Sequence, residues 1–227
     1  MYLIQTISWK DNLRIAWFGN FLTGVSFSLV IPFMPLFVEQ LGVPTDQVAF
    51  YAGLGISISA ISAAFLSPIW GILADKFGRK PMMIRAGLAM TLTMGGLAFV
   101  PNVYWLLFLR FLNGVFAGFV PNATALIASQ VPKDKSGYAL GTLSTGVVAG
   151  NLVGPFIGGL IAEIFGIRDV FLLVGALLFL AALLTILFIK EDFQPVAKEK
   201  AIPTKDLIHS LKYPYLFINL FATSFVI

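Results

Sequence analysis

Charged residues divide the chain into seven long uncharged runs. The runs are strongly apolar and cover residues 15–38, 47–74, 86–109, 111–132, 136–162, 170–189 and 213–227. A bilayer core about 30 Å thick requires roughly 20 apolar residues in a helix, and the first six runs are that long. The pattern therefore predicts six membrane-spanning helices, at about 13–38, 48–73, 81–100, 104–130, 136–163 and 168–189.

The amino-acid composition excludes a soluble domain. Of the 227 residues, 58% are hydrophobic and 11% are charged, whereas charged residues make up about 25% of ordinary soluble domains. The chain has no cysteine and a single histidine, His209. The predicted spans therefore contain no thiol and no cluster of catalytic or metal-binding side chains. We expect a membrane protein that is not an enzyme and that carries no metal and no cofactor.

Lysine and arginine are concentrated in alternate connections between the predicted spans. Thirteen of the fifteen fall before the first uncharged run, between the second and third runs, between the fourth and fifth runs, or at 190–212. Cytoplasmic loops carry the excess of Lys and Arg, so the N-terminus and 190–212 are predicted to be cytoplasmic in a multi-pass plasma-membrane protein. This distribution explains the net charge of +4 without a nucleic-acid partner.

Two segments of the chain repeat each other at an offset of 88 residues. Residues 71–78 (GILADKFG) align with 159–166 (GLIAEIFG), and Lys80 then falls on Arg168. A weaker echo pairs Ile31-Pro32 with Val120-Pro121 at an offset of 89. Because three spans separate the copies, the repeat predicts two inverted three-helix units, a construction found in several transporter folds.

The repeat and the apolar runs define the domain organisation. Residues 1–189 are predicted to form one six-helix transmembrane bundle, and 190–212 a cytoplasmic linker. Residues 213–227 span about 22 Å as a helix, which is too short to cross the bilayer. They are therefore expected to be the start of a seventh helix in a longer protein.

Three groups of residues are unusual for apolar helices. The first is the tight connection 71–81, where Gly71 permits close helix contact, Gly78 permits a turn, and Asp75 can pair with Arg79. The second is Arg110, a charge within a predicted span, which makes function its default interpretation. Asn113 and Gly114 share its helix face. The third is a glycine stripe with one proline, consisting of Gly150, Gly154, Pro155, Gly158 and Gly159.

These strings resemble motifs of the major facilitator superfamily. Residues 71–80 resemble the motif between its helices two and three, 107–114 its helix-four motif, and 150–159 the helix-five motif of its twelve-helix drug:proton antiporters. The resemblance covers nearly the whole chain and implies the N-terminal half of a multidrug efflux pump. It implies a cytoplasmic gate at Asp75, Arg79 and Lys80, proton coupling through Arg110, and a bend at Gly154-Pro155.

The resemblance also implies which residues contact substrate. The expected cavity contacts are Phe18, Asn20, Phe21, Phe27, Asn113 and Asn151. An apolar, aromatic cavity suits lipophilic, often cationic drugs, exported in exchange for protons. A transporter of a sugar or small metabolite with the same fold is the alternative, and a non-transporting membrane protein is a third interpretation.

The carrier of the proton stays open in the sequence. Many drug antiporters hold a carboxylate in the middle of helix one, and this chain has none inside any predicted span. Glu39, Asp75 and Glu163 are at or near helix ends and are the candidates within the chain. The other possibility is a carboxylate in the second half. The expected partners are therefore drugs, protons, the lipid bilayer and that second half.

Overall fold

The computed structural model describes residues 8–193, which form helices joined by short connections and contain no strand. The α-helices are α1 (Trp9–Val30), α2 (Met34–Gln40), α3 (Thr45–Phe77), α4 (Arg79–Gly96), α5 (Val103–Phe116), α6 (Phe119–Gln130), α7 (Ser136–Ile164) and α8 (Ile167–Phe188). Short 3₁₀ segments occupy Ile31–Phe33, Leu97–Phe99 and Lys133–Lys135.

Six helical stretches in this part of the chain are long and apolar enough to cross a membrane. They are spans one to six, at Trp9–Gln40, Thr45–Phe77, Arg79–Phe99, Val103–Gln130, Lys133–Ile164 and Ile167–Phe188. The expected all-helical fold with six spans is confirmed, and the predicted bounds differ from these by about one helical turn or less. The expected helix at 213–227 and all of the linker beyond residue 193 lie outside the described residues.

Spans one and four are each interrupted next to a proline. Span one passes through the 3₁₀ turn Ile31–Phe33, which contains Pro32. Span four breaks at Ala117 and Gly118, three residues before Pro121, and Gly118 has a φ of +131°. Proline lacks the N–H that a helix requires and its ring crowds the carbonyl four residues earlier. A proline accompanies both interruptions, but it is not a sufficient cause, because α3 and α7 continue through Pro68 and Pro155.

Glycine allows span one and span five to approach within backbone contact. A Cβ added to Gly150 would lie 2.7 Å from the backbone nitrogen of Val25, and one added to Gly24 would lie 2.6 Å from the carbonyl oxygen of Val147. Gly154 is equally close to α1. Small residues that bring helix backbones together are the usual packing device of membrane helices.

Large apolar side chains remain on the outside of the bundle. Phe156 is 78% exposed, Leu92 75% and Phe65 68%. Exposed apolar surface of this extent marks contact with lipid or with another protein. The inner core is built from fully buried side chains such as Phe37 and Phe171, whose ring centroids are 4.6 Å apart.

The two predicted repeat copies have the same backbone geometry. Gly78 has φ 99° and ψ 162°, and Gly166 has φ 105° and ψ 168°. Each glycine N–H donates to the alanine carbonyl four residues earlier, Ala74 at 2.9 Å and Ala162 at 3.1 Å. The predicted inverted repeat is therefore present in the fold. We call the two ends of the bundle the Gly78 end and the Gly166 end after these turns.

Candidate functional site

An ion pair closes the loop at the Gly78 end. Arg79 and Asp75 are four residues apart, on either side of the Gly78 turn, and the Arg79 guanidinium donates to the Asp75 carboxylate. The side chain of Asp75 is 55% exposed and that of Arg79 28%. Exposed pairs of this kind contribute about 1 kcal/mol or less to stability. The pair is therefore better suited to changing partners than to holding the fold.

Glu191 binds the first turn of α4 beside this pair. Its two carboxylate oxygens accept the backbone N–H groups of Arg79 and Lys80, each at 2.8 Å. These N–H groups have no partner inside the helix, and the positive end of the helix dipole favours a carboxylate there. Gly78, the residue that caps α4, has no side chain to fill this role.

Lys80 makes the reciprocal contact at the end of span six. Its ammonium group donates to the carbonyl oxygens of Ile189 at 2.7 Å and Ile186 at 3.1 Å. The N-terminus of α4 thus receives a carboxylate from beyond α8, and the last turn of α8 receives a cation from α4.

The surroundings of Gly71 differ from those predicted, because a Cβ there would meet nothing within 4 Å. The expected close helix contact at Gly71 is not made within residues 8–193.

Asn12 ties the beginning of span one to the end of span six. Its amide nitrogen donates to the carbonyl of Lys190 at 2.6 Å and to the side chain of Gln130 at 2.7 Å. Its amide oxygen accepts the backbone N–H of Lys190 at 3.0 Å. Asn12 is 2% exposed, so this junction between spans one, four and six is buried at the Gly78 end.

Arg110 is buried where spans two, three and four meet. It is 5% exposed, and its Nε donates to the carbonyl of Gly55 at 3.0 Å. Its Nη1 lies 3.6 Å from the sulfur of Met94. Within residues 8–193 it forms no salt bridge, and every carboxylate in that part of the chain is exposed or half-exposed.

The neighbours of Arg110 on its helix face are buried as expected. Asn113 is 2% exposed, and its amide oxygen accepts the Thr93 hydroxyl at 3.2 Å. Gly114 lies against span two so closely that a Cβ would overlap the hydroxyl of Ser62. The predicted inward face is therefore present, and it is packed without room for a larger side chain at position 114.

The carboxylates proposed for proton coupling are at the ends of spans. Glu39 and Glu163 are exposed, near the Gly166 end, and Asp75 is at the Gly78 end.

The glycines of the helix-five motif divide into two sets. Gly150, Gly154 and Gly158 are buried against span one, whereas a Cβ on Gly159 would meet nothing within 4 Å. The helix α7 continues through Pro155 without interruption.

The predicted substrate contacts do not form one group. Asn20 and Asn113 are buried, whereas Phe18 and Asn151 are exposed. A cavity of about 650 Å³ opens at the Gly78 end between α1 and α7, and Phe18 is the predicted residue that lines it. The full lining is Trp9, Lys10, Leu13, Arg14, Trp17, Phe18, Lys135, Tyr138 and Thr142.

A sequence model described as Major Facilitator Superfamily matches residues 16–227. The chain belongs to this superfamily. The membership expected from the three motifs is thereby confirmed. Members of the superfamily are transporters rather than enzymes, which agrees with the expectation of no enzymatic activity.

Several curated relatives are named as multidrug efflux pumps or multidrug resistance proteins. The chain is 84% identical over 221 residues to the multi-drug resistance efflux pump PmrA of Streptococcus pneumoniae, and 55% identical to the PmrA homolog of Lactococcus lactis. It is 49% identical to the multidrug resistance protein MdtG of Proteus mirabilis. These matches cover 97–98% of this chain and 55% of each relative. The chain therefore spans about half the length of the relatives that it matches.

Solved structures support the major facilitator fold. The human organic anion transporter MFSD10 superposes on 87% of this chain and 52% of its own, with a TM-score of 0.74 and 17% identity. The POT family transporter PepTSo covers 84% of this chain and 40% of its own, with a TM-score of 0.73 and 18% identity. At such low identity the likeness concerns the fold alone.

Proposed function

We propose that this chain is the N-terminal half of a multidrug efflux transporter that exports lipophilic, often cationic compounds in exchange for protons. The observation that carries the proposal is the identity of 84%, over 97% of the chain, to a protein named as a multidrug efflux pump. Alternating access by rocking of two halves about a midplane site is the mechanism of this fold class. The second six-helix half would supply the other wall of that site.

The gate is proposed at the Gly78 end, which the distribution of Lys and Arg assigns to the cytoplasm. There Asp75 and Arg79 form the exposed ion pair, and Glu191 and Lys80 join the loop to span six. In the outward-open state this loop would contact the second half and keep the cytoplasmic side closed. The modest energy of exposed ion pairs allows that contact to form and break during each cycle.

Arg110 is proposed to tune proton coupling from the interior. A buried guanidinium without a carboxylate partner is costly in a membrane span, and function is the usual reason for retaining one. The proton carrier is then one of the exposed carboxylates at the span ends or a carboxylate beyond residue 193. The absence of a carboxylate beside Arg110 within residues 8–193 favours the second possibility.

Aromatic side chains support the lipophilic part of the substrate class. The cavity between α1 and α7 presents Trp9, Trp17, Phe18 and Tyr138. Aromatic faces bind flat apolar rings and attract cations. Three basic side chains, Lys10, Arg14 and Lys135, share this lining and oppose that attraction. A comparison of ethidium with a neutral lipophilic dye therefore measures how far positive charge on the substrate matters.

The deciding experiment is dye efflux from loaded bacteria that express the gene at its natural length. Ethidium export above the vector control, abolished by a protonophore, would support proton-coupled drug efflux. Export that survives the protonophore would contradict the coupling. No export of either dye, with the protein quantified in the membrane, would favour the alternative, a transporter of a sugar or small metabolite.

A further inference from the structure

The break in span four exposes a carbonyl that no helix can satisfy. In an unbroken helix the Ala117 carbonyl would accept the N–H of residue 121, but Pro121 has none. The chain instead turns at Gly118, whose φ of +131° is outside the range that other residues favour. The carbonyl of Ala117 therefore needs a donor from another part of the molecule, because the membrane interior supplies no water for it.

Side chains from three spans donate to the carbonyls around the break. Arg85 of span three donates from Nη2 to Ala117 at 3.2 Å. Trp70 of span two donates from its indole nitrogen to Val115 at 2.6 Å. Asn122, within span four, donates to Gly118 at 2.7 Å. The interruption is thus held by specific bonds.

Arg85 and Trp70 also contact each other directly. The central carbon of the guanidinium lies 3.5 Å from the centre of the Trp70 ring, which is the geometry of a cation stacked on an aromatic face. A planar guanidinium can stack and donate hydrogen bonds at its edge at the same time, which an ammonium group cannot do. We call this pair the Arg85–Trp70 clasp.

The clasp leaves two donors of the guanidinium unused. The Nε and Nη1 atoms of Arg85 are buried and have no hydrogen-bond partner among the described residues. Leaving buried charged donors unsatisfied is unfavourable, and each such group in a folded protein calls for an explanation. A second arrangement of the break, in which these atoms reach carbonyl oxygens, would provide one.

The two parts of span four are fastened to different neighbours. The hydroxyls of Ser59 and Ser62 in span two donate to the carbonyls of Arg110 and Phe111, at 2.6 Å and 3.0 Å, and so hold α5. The helix α6 packs mainly against α4 and α1. The helix α4 contacts both α5 and α6, whereas α3 packs mainly against α5. The clasp therefore joins span two, which holds the first part of span four, to span three, which contacts both parts.

We propose that the Arg85–Trp70 clasp positions α6 relative to α5, and that it shifts between two bonded arrangements during the transport cycle. Arg85 is then a positioning residue, which acts on transport through the angle of span four. The role in transport rests on the proposed function, whereas the two arrangements of the break do not. Stacking suits this role because the ring face gives no fixed direction, so the guanidinium can exchange acceptors while it remains on Trp70.

The test measures the break directly with two spin labels. Cysteines replace the exposed residues Tyr104 at the start of α5 and Thr124 in α6, and these 227 residues contain no other cysteine. The distance distribution is recorded in lipid vesicles for the natural-length protein, with and without ethidium and at two pH values. We expect two populations whose ratio responds to these conditions, and a single population that no longer responds in Arg85→Leu.

Export supplies the second measurement. Loss of a hydrogen bond from a charged donor predicts that Arg85→Leu lowers the maximal rate by about tenfold, while the half-saturating ethidium concentration changes by less than about twofold. Arg85→Lys should behave like Arg85→Leu, and Trp70→Phe should lie between them and the parent protein. Trp105→Phe is the matched control, because Trp105 is half-exposed and donates to no carbonyl within residues 8–193.

Each contrary outcome has a defined meaning. Full activity of Arg85→Lys would overturn the proposal, because a positive charge alone would then suffice. Two responsive distance populations in Arg85→Leu would also overturn it, as would an equal loss of ethidium binding and turnover. If Arg85→Leu fails to reach the membrane, the Lys and Trp70→Phe variants decide. A parent protein that exports no ethidium would defeat the proposed function, and the distance measurements would still decide the clasp.

Discussion

Lys80 and Arg168 make the same contact at opposite ends of the bundle. Lys80 donates to the carbonyl of Ile186 at 3.1 Å, and Arg168 donates to the carbonyl of Ala98 at 2.7 Å. Both donors and both acceptors are separated by 88 positions, the offset of the internal repeat. In each copy a basic side chain just after the glycine turn caps the end of the third helix of the other copy.

The two ends differ in what surrounds this shared contact. Position 167, which corresponds to Arg79, is isoleucine, so Glu163 lacks the partner one turn away that Asp75 has. The carboxylate of Glu191 binds the turn at the Gly78 end. The ion pair and the Glu191 contact, which form the proposed gate, are therefore an addition, at one end, to a scaffold that both ends share.

Removing the carboxylate of Glu191 should weaken the proposed gate. In Glu191→Ala the first N–H groups of α4 lose both acceptors, and the loss of a helix cap costs about 0.5–2 kcal/mol. We expect a several-fold lower export rate in the ethidium assay, with drug affinity little changed. Asp192→Asn is the matched control, because Asp192 is the exposed neighbour of Glu191. Equal effects of the two variants would contradict a specific role for Glu191.

Neutralising Asp75 should impair turnover more than drug binding. Asp75→Asn removes the ion pair with Arg79 and so loosens the proposed closed state. The measurement compares the maximal export rate with ethidium affinity in the purified protein. Asp46→Asn, at the exposed start of α3, provides the control. Unchanged turnover in Asp75→Asn would leave the loop with a role in membrane topology alone.

Truncating Arg110 should abolish coupled export without removing the protein from the membrane. Arg110→Ala deletes the bond to Gly55 and the only charge buried among the described residues. Arg110→Lys keeps the charge and loses the bond geometry, so we expect partial activity. Proton uptake measured with drug export in vesicles checks this prediction. Normal coupled export by Arg110→Ala would exclude Arg110 from the mechanism.

Two glycines of α7 should respond very differently to alanine. A methyl group at Gly150 would overlap the backbone of α1, and overpacking costs about 1–3 kcal/mol. At Gly141 a Cβ meets nothing within 4 Å, and alanine favours a helix by about 1 kcal/mol. Thermal unfolding in detergent should therefore give a lower midpoint for Gly150→Ala and an unchanged or higher one for Gly141→Ala. Equal midpoints would contradict close packing of spans one and five.

Features that depend on local sequence could be predicted. Uncharged runs define the spans because a helix in lipid must be apolar along its whole length. The repeat at Gly78 and Gly166 was visible because the same turn requires the same residues. The inward face of Arg110 and Asn113 followed from helical spacing.

Features that depend on residues distant in sequence could not be predicted. Glu191 contacts a turn 112 positions earlier, and Asn12 contacts a peptide 178 positions later. The pattern of charges in the sequence assigned Glu191 only to the predicted linker 190–212. Arg85 was counted among the loop cations, although it reaches the break in span four. The proline at 121 and the glycine at 118 were the available signals, because together they predict a carbonyl in need of a donor.

The buried junction of Asn12 with Lys190 bears on how the protein is made. The peptide of Lys190 follows the last residue of span six, and Asn12 lies in the first turn of span one. Their bonds become possible only when synthesis has passed residue 190. While spans two to six are being made, the amide of Asn12 cannot form its hydrogen bonds with Lys190. The first helix is therefore joined to the last by hydrogen bonds that synthesis of the earlier spans cannot provide.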